Sequence, residues 1–131
     1  MNGSEAYVLG IDIGGTNMRF GLVDGSHRLS AFERQSTRDT FLEDCDPAQK
    51  LAECIRGYCG RNLGGKMPKA VSIGFPSTIN RARTVVVQTP NIACIPDDFA
   101  VVDALESALG IPVFINRDAV SYTHLTLPTI L

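Results

Sequence analysis

Two apolar, β-rich segments joined by a pair of glycines open the chain and restrict how it can fold. The first runs from Tyr7 to Ile13 and ends at Gly14-Gly15, and the second runs from Met18 to Val23 with alternating apolar side chains. Adjacent glycines allow positive φ and a close backbone approach, which predicts a tight turn between two antiparallel strands. Asp24-Gly25 is a second hairpin signal, so Arg28 to Ser36 is expected to return as a third strand. The chain is therefore expected to begin as an antiparallel meander.

The remaining patterns alternate between helix and strand. Asp46-Pro47 provides an N-cap and a proline at the first helical position, Gln49 completes a capping box, and a helix is predicted to run to about Asn62. A second helix is expected from Pro96-Asp97-Asp98 to Gly110, where the glycine and a following proline end it. Strands are predicted at Ala70 to Phe75, Thr84 to Thr89 and Val113 to Ile115, with a turn at Asn80 to Ala82. This order predicts an α/β fold in which a mixed sheet is covered by helices.

Length and charge narrow the class of partner. A chain of 131 residues is long enough for one domain or one lobe, and short for a protein with two lobes around a cleft. The formal net charge of -2 leaves no basic surplus for binding nucleic acid, so small-molecule partners are expected. The start, Met1 to Ala6, fits no secretory signal, and no apolar run is long enough to span a membrane, which favours a cytoplasmic protein.

The cysteines do not form a recognisable motif. Cys45, Cys54, Cys59 and Cys94 include no C-x-x-C pair and no partnered histidine. Neither a zinc site nor a redox motif is therefore predicted, and ordinary buried or surface thiols are expected. Reduced thiols agree with a cytoplasmic location.

The segment Asp12-Ile13-Gly14-Gly15-Thr16-Asn17-Met18-Arg19 is the first candidate site. Its backbone N–H groups can approach an anion, Thr16 adds a hydroxyl donor, and Asp12 can hold a hydrated Mg²⁺ beside phosphates. An ordinary glycine hairpin with a capping aspartate also explains these residues.

Two better-known nucleotide motifs are set aside. A dinucleotide-binding fingerprint needs glycines that lead into a helix, whereas Gly14-Gly15 leads into a strand. Gly60 to Lys66 spells G-x-x-x-x-G-K, but Met67 stands where a hydroxyl would bind Mg²⁺, and the motif follows a helix. A solvated loop at the exit of the helix is the interpretation that we favour.

Polar residues follow three further strand ends. Gly74-Phe75-Pro76-Ser77 predicts a sharp turn that exposes backbone groups and the Ser77 hydroxyl, either to a ligand or only to water. Thr89-Pro90-Asn91 offers an amide that can bind a sugar hydroxyl or cap a turn. Asn116-Arg117-Asp118 follows the last strand, where a carboxylate can accept a proton from an attacking hydroxyl or form a surface salt bridge.

In this order and at about these spacings, the motifs resemble those of the ROK family of sugar kinases. The matching residues are Asp12-Ile13-Gly14-Gly15-Thr16 with Arg19, Gly74-Phe75-Pro76-Ser77, Thr89-Pro90-Asn91 and Arg117-Asp118-Ala119. The similarity covers residues 7 to 119 and implies an actin-like, ribonuclease-H-like ATPase fold. It implies that residues 1–119 are the amino-terminal lobe of an ATP-dependent hexose kinase, and it is compatible with a homodimer of the full-length protein.

The resemblance also implies a role for each matching residue. The nucleotide site would consist of Asp12, Gly14, Gly15 and Thr16, with Mg²⁺ held by Asp12 through water. The sugar site would consist of Gly74, Ser77, Asn91, Arg117 and Asp118. Of these, Asp118 would be the catalytic base.

Two departures from the family bear on the choice of sugar. The family usually places Asn before the catalytic Asp, and its glucokinase-like members usually carry Lys after Gly-Gly-Thr, whereas this chain has Arg117 and Asn17. With Gly-Phe-Pro and Thr-Pro-Asn, the Arg-Asp pair is most similar to the D-allose kinase branch. Phosphorylation of D-allose to D-allose 6-phosphate is therefore expected, with glucokinase or another ROK sugar kinase as the alternative.

The end of the chain departs further from the family. ROK kinases continue with a helix, a zinc-binding cluster of His and Cys, and a second phosphate-binding lobe. Here Val120 to Thr129 resembles a translated sequencing adaptor, so residues 120–131 are expected to be a non-native tail of a truncated lobe, and Ser121 and His124 carry no hydrolase hypothesis. Phosphoryl transfer needs charge stabilisation from both sides of the phosphates, so this chain alone is expected to be inactive.

Two functions of other classes stay open. A sugar-responsive repressor of the same family would carry a helix-turn-helix ahead of this lobe, and the six residues before Tyr7 disfavour it. A chaperone-like or cytoskeletal ATPase of the same fold would give no reason for the motifs at Asn91 and Asp118.

Overall fold

The structure is a computed structural model that describes residues 7–26, 28–42, 45–89, 92 and 94–116. The strands in this part of the chain are β1 (Val8–Ile13), β2 (Asn17–Val23), β3 (Leu29–Ser36), β4 (Ala70–Gly74), β5 (Thr78–Ile79), β6 (Val86–Gln88) and β7 (Val113–Asn116). The helices are α1 (Thr37–Thr40), α2 (Pro47–Asn62) and α3 (Val101–Leu109). Among these described elements, no helix is long and apolar enough to cross a lipid bilayer.

A mixed sheet forms the centre of the fold. Its strand order is β3-β2-β1-β4-β7, with antiparallel pairing from β1 to β3 and parallel pairing of β1 with β4 and of β4 with β7. The short strands β5 and β6 form a separate antiparallel hairpin. The predicted opening meander and the mixed sheet with covering helices are confirmed.

Helix α2 covers one face of the sheet. Its N-cap Asp46 accepts hydrogen bonds from the backbone N–H groups of Ala48 and Gln49, at 3.1 and 3.2 Å. The Gln49 amide donates to Glu53 at 3.1 Å instead, so the expected reciprocal bond of a capping box is replaced by a bond along the helix. The buried Tyr58 ring stacks on Phe20, with ring centroids 5.5 Å apart.

Helix α3 begins later than the sequence predicts. The backbone of Phe99 exchanges two hydrogen bonds with Val86, at 2.8 and 2.9 Å, which holds residue 99 in an extended bridge. Asp98 also has a φ of 55°, a left-handed value that interrupts a helix. The helix therefore begins at Val101, and it ends at Gly110 as predicted, where φ is 72°.

The short helix α1 was not predicted, and it supports the turn between β1 and β2. The Thr37 hydroxyl donates to the Gly14 carbonyl at 2.8 Å, and the Thr37 backbone N–H donates to the Thr16 carbonyl at 2.9 Å. The side chain of Ser36 caps α1 by accepting a hydrogen bond from the N–H of Asp39 at 3.1 Å. Helix α1 therefore holds the turn at two carbonyl groups, those of Gly14 and Thr16.

Glycine is required at position 14 because of space, as a close backbone approach predicts, whereas the positive φ that was also expected is not found there. The Gly14 N–H donates to the Asn17 carbonyl at 2.9 Å, and a Cβ added to Gly14 would lie 3.0 Å from the same oxygen. Among the described residues, the glycines with positive φ are Gly64, Gly65 and Gly110. The close approach of two backbone segments therefore explains the residue.

Replacing Gly14 by Ala should destabilise the chain, because the added methyl group forces the hairpin to open. We expect the free energy of unfolding in urea to fall by about 1–3 kcal/mol. Gly25→Ala is the matched control, since a Cβ there would meet no atom within 4 Å, and it should stay within about 0.5 kcal/mol of the parent. Equal losses in the two variants would contradict this account of Gly14.

An ion pair ties β3 to the end of α2 and should make stability depend on pH. Arg61 binds Glu33 with both Nε and Nη2, the shortest contact being 2.8 Å, and Asn62 donates to the same carboxylate at 2.7 Å. The hydrogen bond from Arg61 is the main cause that lowers the pKa of Glu33, against an opposing contribution from burial. A carboxyl group whose pKa is lowered in the folded state stabilises the protein above its unfolded pKa, and loses that contribution as the pH falls through its folded pKa.

Glu33→Gln should therefore lower the free energy of unfolding by up to about 1 kcal/mol at neutral pH, a modest value because Arg61 is half-exposed. The difference from the parent should vanish in acid, once the native Glu33 is protonated. Glu53→Gln is the control, because the pair between Glu53 and Lys50 is 3.9 Å long and exposed. A Glu33→Gln effect that persists unchanged in acid would contradict an origin in charge.

Candidate functional site

The carboxyl ends of three parallel strands meet at one edge of the sheet. Register pairs Asp12 of β1 with Gly74 of β4, and Gly74 with Asn116 of β7. In open α/β sheets, ligands bind in the crevice outside such strand ends. The segments that follow Asp12, Gly74 and Asn116 are three of the four that the sequence motifs singled out.

The two faces of this edge differ in character. The neighbouring row, Ile11, Ile73 and Ile115, is buried with the helices in the apolar core. Because successive side chains of a strand point to opposite faces, the row of Asp12 and Asn116 projects to the other side of the sheet. Gly74 lies between them and adds no side chain. A carboxylate and an amide therefore occupy the same face with a gap between them.

The turn after β1 is open to solvent beside this row. Three residues of the turn are exposed, namely Gly15, Thr16 and Asn17. Asp12 is half-buried and interacts with a neighbouring group of the protein. Backbone N–H groups and the Thr16 hydroxyl at such a turn can donate to an anion. Asp12 has the oxygen ligand type that Mg²⁺ prefers, so its position next to the turn fits a hydrated cation beside phosphates.

The second and third motifs are joined by a buried hydrogen bond. The hydroxyl groups of Ser77 and Thr89 lie 2.7 Å apart, and the two residues are only 9% and 6% exposed. The Ser77 hydroxyl is therefore largely buried and paired with Thr89, and it is not exposed as expected. The contact holds the turn after β4 against the segment that leads to Asn91.

A second contact holds the end of β7. The Arg83 guanidinium donates to the Asn116 side-chain oxygen at 3.1 Å, and the Phe75 N–H donates to the Asn116 carbonyl at 2.8 Å. Arg83 lies in the turn between β5 and β6, near the position predicted for a turn at Asn80 to Ala82. Asn116 is thereby fixed from both its side chain and its backbone.

The structure brings one part of the predicted site together, and the other part lies outside the described residues. Asp12, Gly14, Gly15, Thr16, Gly74 and Ser77 gather at or next to the shared strand edge. Asn91, Arg117 and Asp118 lie outside the described residues. Sequence reasoning missed Thr37 and Arg83, because a lone threonine or arginine in a polar loop carries no motif, and only the fold shows what they contact.

The Walker-like segment lies elsewhere, as expected. Gly60 is inside α2, and Gly64 and Gly65 form the left-handed turn that ends the helix. The N–H groups of Leu63 and Gly65 both donate to the Cys59 carbonyl, at 2.8 and 3.0 Å. The carboxyl end of a helix has partial negative charge, which disfavours a phosphate there.

Comparison with known proteins gives consistent matches. The curated glucokinase of Thermotoga maritima is 31% identical over 116 residues, which are 86% of this chain and 33% of that protein. The crystal structure of a ROK family glucokinase from Streptomyces griseus in complex with glucose and AMPPNP has a TM-score of 0.65 and 26% identity, over 84% of this chain and 32% of that one. The ROK hexokinase from Thermus thermophilus has a TM-score of 0.67 and 31% identity, over 84% of this chain and 34% of that one.

These matches establish the fold and the family. This chain spans about a third of the length of the curated relatives that it matches. Its mixed sheet with covering helices has the actin-like ATPase fold of its structural neighbours. The profile described as the ROK family matches residues 8–124, and the chain belongs to that family.

Proposed function

We propose that this chain is the amino-terminal, ATP- and sugar-binding lobe of an ATP-dependent hexose kinase. The observation that carries the proposal is the shared register of Asp12, Gly74 and Asn116, which brings three motif segments to one sheet edge. Glucokinases and a hexokinase among the relatives support a sugar substrate, and one of them was crystallised with glucose and AMPPNP. The lobe extends over residues 1–119, and residues 120–131 are a non-native tail.

The glycine turn is the nucleotide side of the site. The backbone N–H of Gly15 and the hydroxyl of Thr16 bind phosphate oxygens, while Gly14, whose N–H donates to the Asn17 carbonyl, and the bonds from Thr37 keep the turn in shape before the nucleotide arrives. Asp12 would hold Mg²⁺ through water. When bound, Mg²⁺ neutralises charge on the phosphates. A turn that is already ordered binds without paying the entropy of ordering it.

The sugar side is built from the loops after β4 and β6. Gly74 keeps the space beside Asp12 free of a side chain, and the bond between Ser77 and Thr89 sets the start of the segment that carries Asn91. Asn91 binds sugar hydroxyls with its amide, which can both donate and accept. Ser77 therefore shapes the sugar pocket by positioning the segment that carries Asn91.

Asp118 is the base, and it follows the strand end that Arg83 and Phe75 hold. It lies two positions after Asn116, which is held through both its side chain and its backbone. Asp118 orients the primary hydroxyl of the sugar and accepts its proton as the phosphoryl group transfers. In a loose transition state this proton moves late, so an ordinary ionised carboxylate suffices.

The sugar that best accounts for the residues is D-allose, which would be converted to D-allose 6-phosphate. Arg117 replaces the Asn that usually precedes the base, and its guanidinium presents several donors in a fixed plane to ring hydroxyls. The relatives include a glucokinase, so glucose is the alternative substrate to D-allose. The complete enzyme works in the cytoplasm, as a homodimer in the simplest case, and needs a second lobe to complete the phosphate site.

Asp118→Asn should reduce turnover in a polypeptide that continues this chain to the length of its relatives. Asparagine keeps the shape of the side chain and removes its basicity, so kcat should fall by roughly 10² to 10⁴ with little change in sugar or ATP binding. Sugar-dependent release of ADP measures the rate. The 131-residue chain is the blank, since one lobe alone should transfer no phosphate.

A surface salt bridge at Asp118 predicts a different outcome. It would give near-normal turnover and a loss of stability within about 1 kcal/mol, measured on the same variant by thermal unfolding. Turnover at the parent rate in Asp118→Asn would end the case for Asp118 as the base.

Arg117→Asn in the same extended polypeptide should change sugar preference more than ATP affinity. Loss of a buried donor to a sugar hydroxyl costs about 1–3 kcal/mol, which should appear in the ratio of kcat/KM for D-allose to that for glucose. Arg19→Asn is the control, because Arg19 is also an arginine but is exposed and lies near the residues assigned to the nucleotide. A change confined to the KM for ATP would contradict the assignment of Arg117.

A further inference from the structure

Two arginines stand directly opposite each other on the two strands at one edge of the sheet. Register pairs Arg19 of β2 with Arg34 of β3. Both arginines are exposed, and neither forms an ion pair or a side-chain hydrogen bond with another of the described residues. Like charges directly opposite each other in an antiparallel pair are destabilising. The sheet therefore carries a repulsive pair to which no described carboxylate is bonded.

A β-bulge in β3 produces this pairing. Leu22 pairs with Ser30 near the start of β3. A regular continuation of that register would set the carboxylate of Glu33 opposite Arg19, which is a favourable pair. The register instead shifts by one residue, so Arg34 takes that place. The fold thus puts a second cation where simple pairing would have put an anion.

The backbone of the bulge is strained and is held by a contact from α2. Ala31 has a φ of 54°, in the left-handed region that residues with a side chain disfavour. The hydroxyl of the buried Tyr58 donates to the Ala31 carbonyl at 2.5 Å. Strain of this kind persists where surrounding contacts over-determine it, and bulges often redirect a side chain beside a ligand site.

The extra residue also turns Phe32 out of the core. In the regular register Phe32 would pair with the buried Phe20, whereas in the structure it is 66% exposed. A Cβ added to Gly21 would lie 3.4 Å from two carbons of the Phe32 ring, so the glycine leaves room for the ring close to the sheet. The bulge therefore presents an aromatic ring on the face that also carries the two arginines.

A cavity of about 340 Å³ lies beside this ring. It is lined by Arg19, Phe32, Glu33 and Arg34. The Glu33 carboxylate is bonded to Arg61, so its charge is already offset. The lining therefore combines two guanidinium groups with an aromatic ring. Guanidinium groups bind phosphate oxygens with two parallel hydrogen bonds, and an exposed aromatic face stacks on another ring.

We propose that Arg19, Arg34 and Phe32 form a second ligand site, which binds a small phosphomonoester that carries a ring, such as a hexose phosphate or a nucleoside monophosphate. The phosphate dianion lies between the two guanidinium groups and relieves their repulsion. The ring of the ligand stacks on Phe32, which loses exposure to water. An inorganic anion would satisfy the arginines alone, so the ring adds affinity.

The site is close to the glycine turn but separate from it. Register places Asp12, Arg19 and Arg34 in one row across three neighbouring strands. Strands are spaced about 4.8 Å apart, so a ligand on the arginine pair would lie within roughly 10 Å of Asp12. A dianion there would repel the phosphates of a nucleotide at the turn and weaken its binding. That consequence rests on the proposed function, whereas binding at the arginine pair does not.

NMR titrations of the 131-residue chain test the proposal, because arginine Nε–H signals and phenylalanine ring signals report contact residue by residue. The probes are AMP, glucose 6-phosphate and inorganic phosphate. We expect the signals of Arg19 and Arg34 to shift with all three probes, and those of the Phe32 ring to shift with the two that carry a ring. The tighter binder of these two identifies which kind of ring the site prefers.

Single variants test the role of each side chain. Arg34→Gln should weaken binding of either ring ligand about 10-fold, whereas Arg38→Gln, the matched control at an exposed arginine on α1, should leave it unchanged. Phe32→Ala should weaken the ring ligands about 5-fold and leave inorganic phosphate unchanged. Thr16→Ala should also leave binding of the ring ligands unchanged, because Thr16 belongs to the glycine turn.

The stability of the unliganded chain gives a second measurement. Arg34→Gln removes the repulsion, so the midpoint of urea unfolding should rise in a buffer without multivalent anions, whereas a purely structural role for Arg34 predicts a fall. The proposal would be overturned by such a fall or by the absence of shifts at the two arginines. Equal affinity for inorganic phosphate and both ring ligands would overturn it too, as would equal losses in Arg34→Gln and Thr16→Ala, which would move the ligand to the glycine turn. None of these results depends on whether the chain transfers phosphate to a sugar.

Discussion

The parallel register of β1, β4 and β7 is the constraint on which the rest of the structure depends. It aligns Ile11, Ile73 and Ile115 in one buried row, and burial of each such side chain stabilises the fold by about 1.5–3 kcal/mol. A slip by one residue would turn that row to the opposite face, so the alternative registers are strongly disfavoured. The same register necessarily aligns Asp12 with Asn116 at the sheet edge. The apolar core therefore determines where the polar residues of the candidate site stand.

Side-chain hydrogen bonds extend this order from the strands into the loops. Thr37 holds the carbonyl of Gly14, Thr89 holds the hydroxyl of Ser77, and each contact is wholly or partly buried. A buried polar group without a partner costs about 1–3 kcal/mol, so these loops are held in conformations that keep the bonds. Long-range contacts of this kind give loops the rigidity that a ligand site needs, while the exposed residues between them stay available.

The sequence predicted the fold better than it predicted the loops. Strand and helix patterns come from local periodicity and capping, which is why α2 occupies the residues that were expected, Pro47–Asn62. The start of α3 was wrong because a tertiary bridge to Val86 outweighs the local helix signal at Pro96. In the site, motifs indicated which segments matter, but the exposure of Ser77 depended on Thr89, a partner that no local pattern reveals. The roles of Asn91, Arg117 and Asp118 stay predictions.

The turn at Arg83 shows how local strain and site geometry are connected. Arg83 has a φ of 58°, a left-handed value that costs a residue with a side chain roughly 1–2 kcal/mol. The Asn80 side chain offsets this cost by accepting hydrogen bonds from the N–H groups of Thr84 and Val85, at 2.8 and 3.0 Å. The strained backbone directs the Arg83 side chain to Asn116, two residues before the proposed base. Strain is retained where surrounding contacts over-determine it, as they do here, so the β5–β6 hairpin serves to hold the end of β7.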